Sequence, residues 1–158
     1  MDRQLAFPRR PLRGNASIPN ATVIVQARER PAARADADSG SQLYDPKDFD
    51  NGHPVLAIDS EHDLFGDGSV VLFPTYGHTP GHQSARVKLQ DGDVILAGDC
   101  CYLKRSLDEL RGSPRDADRE ASLATLRHLA SLREQGARIF YGHEGAFWKT
   151  VPQGQPIR

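Results

Sequence analysis

The stretch Thr75-Tyr76-Gly77-His78-Thr79-Pro80-Gly81-His82 decides how this chain is read. It follows an apolar run, residues 69–75, in which Val70, Val71, Leu72 and Phe73 predict a β-strand. Two glycines and a proline then force a tight loop at the strand end. Two imidazoles leave that loop, so one can bind a metal ion while the other supports it. The same residues fit a turn whose histidines bond only to backbone, and the octapeptide alone does not separate the two readings. A loop held by a rigid sheet is nevertheless where polar chemistry usually sits.

Downstream, Ala85, Val87 and Leu89 alternate with polar residues through 83–90, the period of a half-buried strand. Asp91-Gly92 predicts a hairpin turn. Residues 93–98, D-V-I-L-A-G, form an apolar run expected to be buried on both faces. Asp99 comes directly after it. A carboxylate there needs a partner, because an unpaired buried charge is costly. A metal is one such partner; a helix cap or loop hydrogen bond is another. A long helix should follow, with Ser113 as its N-cap, Pro114 in the first helical position, and Asp116 and Asp118 loading the first turn with negative charge. Leu123, Leu126, Leu129 and Leu132 recur at helical spacing, and Gly136 marks the end. Residues 138–141 predict a last strand ending at Gly142-His143. Upstream, residues 20–27 and 55–59 read as strands, 28–41 as partly helical and 44–54 as turns. The order, mainly strands, then a helix, then a strand, implies an α/β layer arrangement. His78, Asp99 and His143 thus end three strands, and such nitrogen and oxygen donors suit zinc or a similar divalent ion.

The order of these pieces resembles the second half of the metallo-β-lactamase superfamily. Gly81-His82-Gln83-Ser84, Asp99-Cys100-Cys101-Tyr102, Tyr141-Gly142-His143-Glu144 and the upstream Phe65-Gly66-Asp67-Gly68-Ser69 are similar to the N-acyl-homoserine lactonase branch. The likeness runs over roughly residues 14–152. It implies an incomplete fold, the C-terminal half of an αβ/βα sandwich, as one partial domain over residues 15–158. Residues 1–14 are then an atypical, disordered segment. Carried over position by position, His78 would bind a first metal, Asp99 would bridge two, and His143 would bind the second. Tyr102 would donate to the substrate carbonyl oxygen. His82 matches a supporting position. Phe147 and Trp148 follow the last ligand position, as core packing or as the wall of an acyl pocket. Tyr76 departs from the family, which generally has proline there.

The family's principal signature, His-x-His-x-Asp-His, is absent. No two of the six histidines are separated by one residue. Gly14-Asn15 and Pro19-Asn20-Ala21 stand where the residues after that signature are expected, but residues 7–13 do not fit it. A one-base shift in codons for Arg10-Pro11-Leu12-Arg13 would read Asp-His-Cys-Gly, so a reading-frame error is one origin that the coding DNA can test. With half the ligands gone, at most one weakly held metal is expected, and lactone ring-opening should be impaired. The alternatives are an inactive remnant that binds metal or a partner, and a superfamily hydrolase of thioesterase or β-lactamase type.

Composition narrows the partners. Twenty basic against twenty-one acidic residues leave a formal charge of -1, which supplies no concentrated basic surface for nucleic acid. No apolar run approaches the roughly 20 residues that span a bilayer, and residues 1–11 lack the apolar stretch of a secretory signal. A soluble cytoplasmic protein is therefore expected, and the resemblance implies a small-molecule lactone as its substrate. Hydrophobic content of 38% is low for a complete core, and the uncovered sheet face predicts association between copies. Cys100 and Cys101 are adjacent, a poor fit to disulfide or zinc-site geometry, and are expected to be small buried apolar residues.

Overall fold

Alternating and β-branched segments fold into strands close to where they were expected. The computed structural model describes residues 17–40, 44–50 and 52–157. Two strands, β1 (Val23–Gln26) and β2 (Val55–Ile58), pair in parallel. Helices α1 (Glu29–Ser39) and α2 (Pro46–Phe49) lie between them in the chain. The remaining strands are β3 (His62–Asp63), β4 (Val70–Pro74), β5 (Gln83–Leu89), β6 (Gly92–Gly98) and β7 (Arg138–Tyr141). They form one sheet in the order β3-β4-β5-β6-β7, antiparallel except for the parallel β6/β7 pair. A parallel pair needs a long crossover. Helices α3 (Lys104–Asp108) and α4 (Arg119–Glu134) supply it, and α5 (Gly145–Trp148) follows β7.

The core lies between one face of this sheet and the crossover helices. Phe73, Ile95, Ala97, Ile139 and Tyr141 cluster with Leu107 of α3 and with Leu126 and Leu129 of α4. Ile95, Leu126 and Leu129 are fully buried. Each such side chain contributes about 1.5–3 kcal/mol. Cys100 and Cys101 join this cluster as free, buried thiols. Burial is the leading cause that pushes them up to about 11 and about 12.

The opposite face is only partly covered. Leu72, Ala85, Leu96 and Phe140 are successive cross-strand neighbours on it. Phe140 is shielded by the rings of Phe147 and Trp148, at 5.2 and 5.7 Å. Leu96 remains 43% exposed. This corrects the expectation that residues 93–98 are buried on both faces: the run is apolar enough, but no element among the described residues fully covers Leu96. The β1/β2 pair forms a second, two-stranded sheet. Polar contacts attach it. The amide of Gln26, a residue with no exposed surface, donates to the Ser60 carbonyl (3.1 Å) and to Gln83 Oε1 (3.3 Å). Gln83 Nε2 donates to the Ile24 carbonyl (2.9 Å).

The start of the long helix also differs from expectation. Asp118, not Ser113, is the N-cap; its Oδ1 accepts from the backbone N–H of Glu120 (2.9 Å) and Ala121 (3.0 Å). Residues 113–118 instead form a loop whose Asp116 turns inward. The hairpin turn is shifted by one residue: Gln90 and Asp91 lie between the paired Leu89 and Gly92. The reading of residues 1–14 as disordered lies outside the described residues. No helix among the described residues is long and apolar enough to cross a membrane.

Candidate metal centre

The His78 loop is built before any side chain acts. The backbone N–H of Thr75 donates to the His82 carbonyl (2.9 Å), and that of Gly77 to the Thr79 carbonyl (3.1 Å). At the start of α1, Glu29 accepts from the Gly81 N–H through Oε2 (2.6 Å). A Cβ at Gly77 would collide with the backbone of Ser122 in α4, and its φ of +128° is one that side chains disfavour. Glycine is therefore what lets the loop lie directly on the helix.

Asp99 and His143 are joined by the loops after β6 and β7. Gly142 N–H donates to the Cys101 carbonyl (3.1 Å), and His143 N–H to the Tyr102 carbonyl (3.0 Å). A Cβ on Gly142 would fall on the Gly98 carbonyl oxygen, so no larger residue fits. These bonds bring the two loops, far apart in sequence, to one place.

There the side chains of His78, Asp99 and His143 meet. Asp99 Oδ1 lies 2.8 Å from His143 Nε2, and Asp99 Oδ2 lies 3.6 Å from His78 Nε2. Each carboxylate oxygen faces a different imidazole. The His78 side chain is 13% exposed, Asp99 31% and His143 61%, so the group opens towards His143. Tyr102 closes one side: its ring meets those of His78 (5.6 Å) and His143 (4.6 Å) edge-on. Burial first, and the charge of Asp99 second, push its phenol up to about 12, leaving it a hydrogen-bond donor at neutral pH.

His82 stands behind this group. Its Nδ1 pairs with Thr75 Oγ1 (2.8 Å), and its ring is edge-on to His78 at 5.9 Å. Burial, followed by the neighbouring His78, lowers it to about 4, so it is a neutral hydrogen-bonding group at physiological pH. Phe147 and Trp148 make ring contacts with Phe140 and with each other, Phe147 also meets Tyr141, and Trp148 Nε1 donates to the Tyr141 carbonyl (2.7 Å). His128 is exposed on α4, with its ring edge-on to Phe73.

The donor types suit a divalent metal, but their number does not complete a site. Among the described residues, no three His, Cys, Asp or Glu side chains are arranged around one ion. A position beside Asp99 Oδ1 has His143, and one beside Oδ2 has His78. A catalytic zinc normally holds about three protein ligands and an open position. The described residues offer two to each. Two contributors escaped sequence reasoning. Glu29 was only one charge in a helical segment, and Asp116, read as a helix-dipole charge, bonds His78 Nδ1 at 3.3 Å. Local spacing carries no signal for either contact, because both form between distant segments.

Comparisons with known proteins agree with this architecture. The family model described as the metallo-beta-lactamase superfamily matches residues 12–143. The N-acyl homoserine lactonase AttM of Azorhizobium caulinodans is 32% identical over 145 residues, covering 84% of this chain and 53% of that protein. The lactonase of the same name from Agrobacterium fabrum is 31% identical over 151 residues, covering 86% and 56%. A solved N-acyl homoserine lactone hydrolase, with the product N-hexanoyl-L-homoserine at its catalytic metal centre, superposes with a TM-score of 0.76 at 25% identity, over 89% of this chain and 54% of that one. The chain thus spans about half the length of the relatives it matches. With the family model matching residues 12–143, well over half of its length, this chain belongs to the metallo-β-lactamase superfamily.

Proposed function

We propose that the chain is the C-terminal part of a metal-dependent hydrolase that opens N-acyl homoserine lactones, and that alone it has little or no activity. The observation that carries the reading is Asp99 set between His78 and His143, one oxygen towards each imidazole. His78, Asp99 and His143 are the residues that would hold the metal. A metal held there, zinc or a similar ion, would supply a water of lowered pKa. Tyr102, packed on both imidazoles, is placed to donate to the lactone carbonyl oxygen as charge develops on it. Water then adds to the carbonyl carbon, the ring C–O bond breaks, and the leaving oxygen takes up a proton to give the open N-acyl homoserine. His82, held neutral behind His78, supports the loop and moves no proton. The similarity to lactonases at about 30% identity supports this substrate class.

The remnant reading draws on the same donors: two protein ligands for each ion favour weak metal binding and a missing nucleophile. Two arms separate activity from scaffold. The purified chain with zinc should hydrolyse N-hexanoyl homoserine lactone at or near background. A chimera carrying the unmatched N-terminal half of the Azorhizobium lactonase should hydrolyse it, and Asp99→Ala should abolish that. A folded, zinc-loaded chimera with no lactonase activity would overturn the proposal.

A further inference from the structure

The carboxylate of Asp116 is one of the most deeply buried charges near the candidate centre, with its side chain 3% exposed. Its two oxygens are used differently. Oδ2 accepts from the Ser113 backbone N–H (2.8 Å) and the Ser122 hydroxyl (2.5 Å). Oδ1 faces His78 Nδ1 at 3.3 Å. The surroundings fix this arrangement. Ala117 and Asp118 donate their backbone N–H to the His78 and Gly77 carbonyls (3.2 and 3.0 Å), and the Thr125 hydroxyl donates to the Tyr76 carbonyl (2.7 Å). A Cβ at Gly112 would meet both Asp116 Oδ2 and the Ser122 hydroxyl, so glycine there leaves the carboxylate its room. The loop of residues 113–118 is in this way stapled to the His78 loop along its length.

We propose that Asp116 is a positioning residue that locks His78 in the Nδ1–H tautomer and leaves the Nε2 lone pair facing Asp99. An ionised carboxylate only accepts hydrogen bonds, so the ring nitrogen within hydrogen-bond reach of Asp116, Nδ1 at 3.3 Å, carries the hydrogen, whereas Asp99 Oδ2 lies beyond that reach of Nε2. In a neutral imidazole the other nitrogen is then the lone pair, and that nitrogen is the one 3.6 Å from Asp99 Oδ2. Carboxylates that receive the second N–H of a ligating histidine fix its tautomer and ring orientation. The tautomer rests on the shorter contact, that with Asp116. Its use in metal binding rests on the function proposed above.

The test is histidine-resolved ¹H–¹⁵N NMR of the full chain at pH 8.5, well above the ordinary imidazole range. Wild-type His78 should show a protonated Nδ1 and an unprotonated Nε2. Asp116→Asn should invert the pattern. The asparagine oxygen is required by the Ser113 N–H, so its NH₂ turns to Nδ1 and donates, and the hydrogen moves to Nε2. Titration with zinc alone should then show affinity falling roughly 10–100-fold, the range for such supporting residues. A wild-type His78 protonated at Nε2 would overturn the proposal without any variant. So would an Asp116→Asn protein with the wild-type tautomer. Neither readout depends on lactone hydrolysis, so a failure here is distinct from a failure of the substrate assignment.

Discussion

His78, Asp99 and His143 occupy the turns where an apolar strand gives way to a polar loop, and that position is what sequence conveys about them. Convergence is another matter. It depends on Gly142 lying against the Gly98 carbonyl and on Gly77 lying against α4. Replacing Gly142 with alanine should therefore cost roughly 1–3 kcal/mol, because the added methyl must displace backbone. Urea unfolding measures this, and an unchanged midpoint would show that the β6 and β7 ends are not so closely held. The adjacent thiols make a second residue-scale prediction. Cys101 is 1% exposed and Cys100 6%. Both should resist a thiol reagent in the native chain and react fully on denaturation; rapid native reaction would show the core beneath Asp99 to be open. Asp116 and Glu29 mark the limit of legibility at this scale. Each is an ordinary acidic residue in its own neighbourhood and gains a role only from a segment 38 or 52 positions away.

At the scale of elements, the period-2 and apolar patterns located β4, β5, β6 and β7 to within one or two residues, because burial against the helices demands that pattern. The start of α4 departs from the sequence pattern for a physical reason. Ser113-Pro114 has the chemistry of a helix start, but the chain must first lay Asp116 under His78. The helix therefore begins at Arg119, with Asp118 as cap. Asp118→Ala should cost about 1 kcal/mol, and Ser113→Ala less, since the Ser113 hydroxyl accepts from the Arg115 N–H and caps no turn of α4. Equal losses in thermal or urea unfolding would restore the earlier start. The very short β3 and the helices α3 and α5 lack enough residues to show a period, so nothing local announced them.

The whole molecule has one well-built layer and one partial one. Helices cover the core face of the five-stranded sheet, whereas among the described residues β1 and β2 provide a two-stranded piece on the other side. Opposite consequences follow for neighbouring residues of β6. Ile95 is fully buried, and Ile95→Ala should cost about 2–5 kcal/mol. Leu96 is 43% exposed, and Leu96→Glu should leave stability within about 0.5 kcal/mol of wild type. The same change should shift the chain towards monomer in sedimentation velocity, since an uncovered apolar face invites association. A wild-type chain that is already monomeric at high concentration would contradict that.

Zinc binding to the purified chain, followed by calorimetric titration beside Asp99→Ala, tests the metal centre most directly. Weak uptake of at most one ion, lost when the carboxylate is removed, is the predicted outcome. Tight uptake, or uptake untouched by the loss of Asp99, would mean that His78, Asp99 and His143 are not half of a metal site.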